Sequence, residues 1–512
     1  MVKINCQCYF LLKCYSFYRN IYLSQLLILL KNNIKLNMRN HKITILIFSF
    51  LFSFFMSNAQ KTWSLQDCVD YALFHNIDLK LQELSVQIQE NNVFQSRMNL
   101  LPNLTANASD VNNWGKTVDR YTNQFANSRV SSANFYLQSS VTLFRGFQLL
   151  NSIKRENLEL MAQKYDFDAQ RDIKAMEITT AYLQILYGQE NLKSKIQLEG
   201  NTILQVERTQ KLVDAGTLAK GDLFNMKAQL ASEETQKILA ENDLSMAYIK
   251  LKQILDIPAD TAFEIQIPSL DLTQGDNKLM SPEVIYNYAV QSRPEIMSAQ
   301  IRYERSLRDL SIARSSFYPS ISFSAGLGTG YSGANIILDG NPSFNGFFPS
   351  GDITSAGDTV LSPSFDYRTK TKAFSDQITE NKNYSVGVYL TMPIFNNFQT
   401  RNQIVKSKIA IQQADLQLEK TKKDVRQTIE QAYADARSAF KSYQAAMSNV
   451  NALEESFNYA KQKFDAGMIN SYQFNDSKIK LDNAKNDLLN SKYNYVFRIK
   501  VLDFYFGKPL SL

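Results

Sequence analysis

Between Val425 and Phe464 apolar residues stand at Val425, Ile429, Ala432, Ala436, Ala439, Tyr443, Ala446, Val450, Leu453, Phe457, Ala460 and Phe464. The steps alternate four and three, the spacing of a helix that keeps one narrow seam against its neighbours. The pattern predicts a helix from about Phe398 to Phe464, ~100 Å long at about 1.5 Å per residue. A sustained heptad implies left-handed supercoiling, and the alanines imply close approach of the packed helices. A second helix of that length is expected over 147–213, and helices about half as long over 65–101, 221–255, 282–317 and 471–506.

Elsewhere the period changes to two. Ile321, Phe323, Ala325, Leu327, Thr329 and Tyr331 alternate with Ser322, Ser324, Gly326, Gly328 and Gly330. Tyr384, Val386, Val388, Leu390 and Met392 alternate with Ser385, Gly387, Tyr389 and Thr391. Segments of this length, apolar on one face and small or polar on the other, suit strands that cross a membrane. Residues 104–110 and 136–144 offer weaker versions. The same stretch spells a dinucleotide fingerprint, Gly328-Thr-Gly330-Tyr-Ser-Gly333. Such a loop must open a helix whose N-terminus holds the phosphate. Residues 334–352 have no helical pattern, so the glycines read as one face of a strand.

The chain repeats itself. Residues 64–108 align without gaps on 281–325, with Tyr71-Ala72 on Tyr288-Ala289 and Leu101-Pro102 on Tyr318-Pro319. Beyond this the offset becomes 251 residues, which sets Leu143-Phe144 on Ile394-Phe395 and Ala181-Tyr182 on Ala432-Tyr433. It also sets Asp214-Ala215-Gly216 on Asp465-Ala466-Gly467 and Pro258 on Pro509. Internal duplication organises the chain, with a first repeat over 60–280 and a second over 281–512. The second holds 34 extra residues between Pro319 and Ile394, expected as a long surface loop without period over 333–383. The lengths suggest a rod of four helical columns, with strands at one end and two turns at the other. In this arrangement helix 221–255 is continued by 282–317, the C-terminal helix meets the N-terminal one, and linker 256–281 sits at mid-height.

Residues 38–59 have a basic start, an apolar run from Ile43 to Met56 and small residues at the end, the pattern of a signal peptide cleaved after Ala59. Met38 is then the expected start, and 1–37 an upstream extension assigned in error. This changes the charge picture. The first 59 residues hold seven of the 56 Lys and Arg and no acid, so the remainder carries 49 basic and 49 acidic residues. A nucleic-acid partner loses its support. Only Cys68 and His75 remain of their types. No disulfide framework, His/Cys metal cluster, His-based triad or phosphate-binding loop can be assembled. No catalysis and no cofactor are expected.

Four strands cannot close a barrel, and open edges cannot face lipid, so the chain is expected to oligomerise. The duplication, "TAYLQILYGQENL" (180–192), "LTMPIFNNFQTRNQI" (390–404), and the turns "DAGTLAKGD" and "DAGMINSYQ" together resemble the outer membrane efflux protein family. The resemblance implies a mainly α protomer with four transmembrane β-strands, completed as a homotrimer with a twelve-stranded barrel in outer-membrane lipid and a twelve-helix tunnel across the periplasm. It implies a passive exit duct for efflux or type I secretion, working with a periplasmic adaptor protein and an inner-membrane pump. It also implies adaptor docking at the turns, here Gly216, Thr217, Leu218, Gly467, Met468 and Ile469. The family's entrance acids fall on Gln473 and Asp476, so one acid remains, and Asp222 takes a position used to hold the entrance shut. The usual basic partner of that link is replaced by Ile469. The competing expectation is a soluble periplasmic coiled-coil scaffold.

Overall fold

A computed structural model of the protein describes residues 62–119, 121–123, 125–126, 129–268 and 280–508. The expected signal peptide, the extension before it, linker residues 269–279 and Pro509 lie outside the described residues. Apart from Thr62 and 262–264, the described residues belong to one compact unit.

The helices are α1 (Leu65–His75), α2 (Ile77–Met98), α3 (Gln148–Asp214), α4 (Lys220–Ile254), α5 (Pro282–Ser292), α6 (Pro294–Ser315), α7 (Phe374–Glu380), α8 (Gln399–Asp465) and α9 (Ser471–Tyr505). Lengths of 11, 22, 67 and 35 residues occur in α1 to α4 and recur in α5, α6, α8 and α9. The expected unbroken helices 65–101 and 282–317 are each two helices. Pro294 excludes the helical backbone at the residue before it, and Arg293 is extended at φ −72°, ψ 125°. Asn76 takes nearly the same conformation, φ −62°, ψ 128°, and its side chain accepts from the N–H groups of Asp78 and Leu79.

The column pairing also differs from expectation. Asn76 Nδ2 donates to the carbonyl of Ile254 (3.1 Å), and the Ile77 N–H donates to Asp256 Oδ2 (3.0 Å). The start of α2 therefore sits on the end of α4. In the second repeat the Arg293 guanidinium lies 4.1 Å over the Phe504 ring, and Tyr288 meets Phe506 at 5.2 Å. Here α6 continues α9. The half-length helices α2 and α4 pack along α3, and α6 and α9 along α8. Each repeat thus lays both of its half-length helices along its own long helix. Helix α6 also lies along α3, which joins the repeats.

The heptad seam behaves as read. Six of its twelve residues (Val425, Ile429, Ala432, Ala436, Ala439 and Val450) are buried, and the other six are half-buried. Its upper part packs on Ile285, Ala289 and Ile296 of α5 and α6. Lower down, Phe457 and Phe464 hold the Phe474 ring of α9 at 5.5 and 4.7 Å. Midway along α3, Ile178, Thr179, Ala181, Tyr182, Leu183, Ile185, Leu186 and Gly188 are all buried. Burial around this turn is too complete for a single stripe, because α1, α4 and the linker meet α3 there. The Tyr182 hydroxyl donates to the Gln266 carbonyl at 2.6 Å, with the Trp63 carbonyl 3.1 Å away.

The strands β1 (Asn103–Asn113), β2 (Val130–Arg145), β3 (Ser320–Ser332) and β6 (Asn383–Thr391) form one antiparallel sheet in the order β6-β3-β2-β1. The two first-repeat strands exceed the expected 104–110 and 136–144, and β6 stops at Thr391, ahead of Pro393. Opposite residues match by type: Leu137 and Tyr384 flank Leu327, and Val141 and Val388 flank Phe323. A bulge at Leu143 brings Phe144 opposite Ile321, keeping the apolar face continuous. Tyr136, Gln138, Ser140 and Thr142 share the other face with Gly328, Gly326, Ser324 and Ser322.

The insertion is more ordered than a loop without period. Residues 336–338 pair with 369–371, and β4 (Ser343–Ile353) pairs with β5 (Thr359–Asp366). Gly357, at φ 90°, helps close the turn between them. Phe344, Phe347 and Phe365 cluster on one face of this arm. Helix α7 then seals the edge of β3 beyond the start of β6. The Gln377 amide accepts from the Ser332 N–H (2.9 Å) and donates to its carbonyl (3.0 Å).

Candidate functional site

The two turns lie at the ends of the helical hairpins α3–α4 and α8–α9. Gly216 (φ 76°) and Gly467 (φ 72°) take the left-handed conformation that glycine enters without strain. The Thr217 N–H reaches back to Leu212 O (2.9 Å) and the Met468 N–H to Lys463 O (2.8 Å), satisfying carbonyls at the helix ends. Asn470 caps α9 by accepting from the Gln473 N–H at 3.0 Å, whereas Ala219 gives α4 no side-chain cap. Gly216, Thr217, Gly467 and Met468 are exposed, Met468 by 75%. Leu218 and Ile469 are half-buried. Alanine at either glycine would meet no atom within 4 Å, so its cost is backbone strain alone.

The hairpins are tied together close to their turns. The Ser471 hydroxyl donates to Asp222 Oδ1. Ser471 thus supplies the partner that Ile469 cannot. Arg208 Nη1 pairs with Asp465 Oδ1 at 2.6 Å, a link the sequence did not single out because neither residue breaks the helical pattern. Farther in, Lys478 Nζ donates to Glu233 Oε1 (2.9 Å) and to Thr202 Oγ1, and the Thr202 hydroxyl meets Glu233 Oε2. Lys195 and Asp482 pair at 2.9 Å, also largely buried. At mid-height Arg293 pairs with Asp172 at 3.1 Å. Burial pushes the Asp172 carboxyl above the usual carboxylate range, and the Arg293 charge opposes that rise. These contacts join first-repeat helices to second-repeat helices.

Gln473 is exposed, and Asp476 pairs with Lys480 on the same helix at 2.7 Å. The expected lone acid therefore carries its own cation. The spacing of four residues was visible in the sequence, and it is the spacing at which helical side chains meet. Among the described residues no group of three or more His, Cys, Asp or Glu could hold a metal ion, and no helix is long and apolar enough to cross a membrane.

Two long helical hairpins rooted in a sheet with one apolar face define an outer-membrane channel of the efflux class. A family profile described as outer membrane efflux protein matches residues 68–256 and 285–507, and the chain belongs to that family. It is 23% identical to the outer membrane protein TolC of Escherichia coli, over 72% of this chain and 68% of that protein. It is 22% identical to TolC of Vibrio cholerae, over 82% of this chain and 85% of that one. The CmeC outer membrane channel of Campylobacter jejuni superposes with a TM-score of 0.68 at 18% identity, covering 88% of this chain and 90% of that one. The chain is an outer-membrane efflux channel protein. A soluble scaffold is not favoured, since it would leave the sheet's apolar face in water.

Proposed function

We propose that three copies complete a twelve-stranded barrel and a twelve-helix tunnel, forming the passive exit duct of a tripartite efflux or type I secretion system. The observation that carries this is the sheet itself. Its outer face is apolar along β3 and β6, with Leu104, Ala106 and Ala108 added by β1, and it has two unpaired edges, β1 and β6. Open edges are not tolerated in lipid, and twelve strands are enough to leave a bore. Crosslinking of the detergent-purified protein should stop at three chains, and a series stopping at two would overturn the trimer. The exposed turns at Gly216–Leu218 and Gly467–Ile469 are the surface offered to an adaptor, which passes cargo from an inner-membrane pump. The arm within 333–383 then stands outside the cell. Protease added to intact cells should cut it and spare the helices, and cutting only after the outer membrane is breached would reverse the orientation.

Asp476 and Gln473 face the entrance in this reading. Because Lys480 neutralises Asp476 locally, Lys480→Gln should unmask three carboxylates and raise cation selectivity. Asp476→Asn should shift selectivity toward anions by freeing Lys480. Reversal potentials across a planar bilayer under a salt gradient read both. Unchanged potentials in both variants would place the pair away from the ion path.

A further inference from the structure

The polar face of the sheet has a repeated construction. The Tyr136 ring lies along β3 over Gly326 and Gly328. A Cβ added at Gly326 would collide with its hydroxyl, and one at Gly328 would fall 3.2 Å from Cδ2 and 2.7 Å from Asn383 Oδ1. Tyr121 lies over Gly330 in the same way, and its hydroxyl donates to Asn134 Oδ1 at 2.7 Å. Its backbone is held by Asp119, which accepts from the Tyr121 N–H at 3.1 Å. On β6, a Cβ at Gly387 would come within 3.0 Å of the Tyr389 hydroxyl. Glycine weakens a strand interior unless another group must come close to the backbone. Here a tyrosine ring is among the close groups each time, joined by the Asn383 side chain at Gly328 and the Ala133 carbonyl at Gly330. Between Ser320 and Thr391 the other residues of this face on β3 and β6 are Ser, Asn and Thr, too short to reach far from the wall.

We propose that Tyr121, Tyr136 and Tyr389 are the side chains that set the width of the barrel bore, and that Gly326, Gly328, Gly330 and Gly387 are the seats that keep them flat against the wall. This rests on the polar face being the channel lining. A methyl group at a seat lifts the ring off the backbone and toward the bore. The fingerprint-like glycine spacing of β3 follows, since strand geometry puts every second residue under the rings.

Single-channel conductance of the purified protein in planar bilayers tests this. Tyr136→Ala should raise conductance, on the order of 1.5-fold for a wall side chain removed from each of three protomers. Gly326→Ala should lower it, and Tyr136→Phe should leave it near the starting value. Gly326→Ala combined with Tyr136→Ala should conduct as Tyr136→Ala does, because no ring remains to be displaced. An equal loss from Gly326→Ala with and without Tyr136 would overturn the inference, since the glycine would then act through the strand alone. A conducting parent protein whose conductance none of these changes alters would overturn it too. A parent protein that forms no channel would instead remove the duct reading itself.

Discussion

Lys478→Met should destabilise the turn-proximal half of the protein by about 3–5 kcal/mol, the cost of leaving a buried charge without its partner. The Lys478 side chain is 9% exposed and that of Glu233 1%. Without the ammonium group, Glu233 keeps only the Thr202 hydroxyl and the Gln229 amide, the latter at 2.8 Å. A carboxylate in that position is then buried without a countercharge. Hydrogen exchange along α4 and α9 should accelerate strongly, and the detergent-solubilised protein should melt at lower temperature. The double replacement Glu233→Met with Lys478→Met should recover most of the loss, because no charge is then buried. Glu419→Gln serves as the comparison. Its partner Lys423 lies one turn away and both side chains are well exposed, so neither readout should move. If Lys478→Met leaves exchange in α9 unchanged, the buried pair does not hold the two hairpins together.

Arg208→Ala combined with Asp222→Ala should raise the open probability of the channel by about 100-fold. The Arg208–Asp465 and Asp222–Ser471 links tie the two hairpins of a protomer next to their turns. Each is a partly exposed contact contributing roughly 0.5 kcal/mol. Three protomers hold two such links each in the proposed trimer, so their loss sums to ~3 kcal/mol, about two decades in an equilibrium between closed and open entrances. Each single change should give about one decade. Planar-bilayer recordings at matched salt measure this directly. A double variant that remains trimeric but opens no more often than its parent would show that these links do not hold the entrance. High salt should weaken the Arg208–Asp465 contribution more than the hydrogen bond from Ser471, because exposed ion pairs are screened.

How much of this was legible beforehand depended on whether a feature repeats locally. The heptad seam marked which residues of α8 are covered, and every member from Val425 to Phe464 is at least half-buried. The period-two stretches sorted the faces of β3 and β6 correctly. The duplication is mirrored in helix boundaries that recur at 217 and 251 residues. These features are set by backbone geometry, which imposes its period wherever one side must be buried.

Other features waited on the tertiary structure. A seam says that a face is covered but not by which helix, so the continuation of α4 by α2 was not readable from helix lengths. The expected helix over 282–317 ran through Pro294, which breaks it, and Asn76 makes the matching break through a cap whose partner, Ile254, lies 178 residues away. Glu233 and Lys478 look like ordinary polar positions until two hairpins close over them. Ser471 became the partner of Asp222 only because α9 starts beside α4. The glycines of β3 spell a dinucleotide-binding loop and read as one face of a strand, while their role depends on where the Tyr136 and Tyr121 rings come to rest. In each case the deciding contact joins residues far apart in sequence, and its energy exists only once packing has removed the water between them.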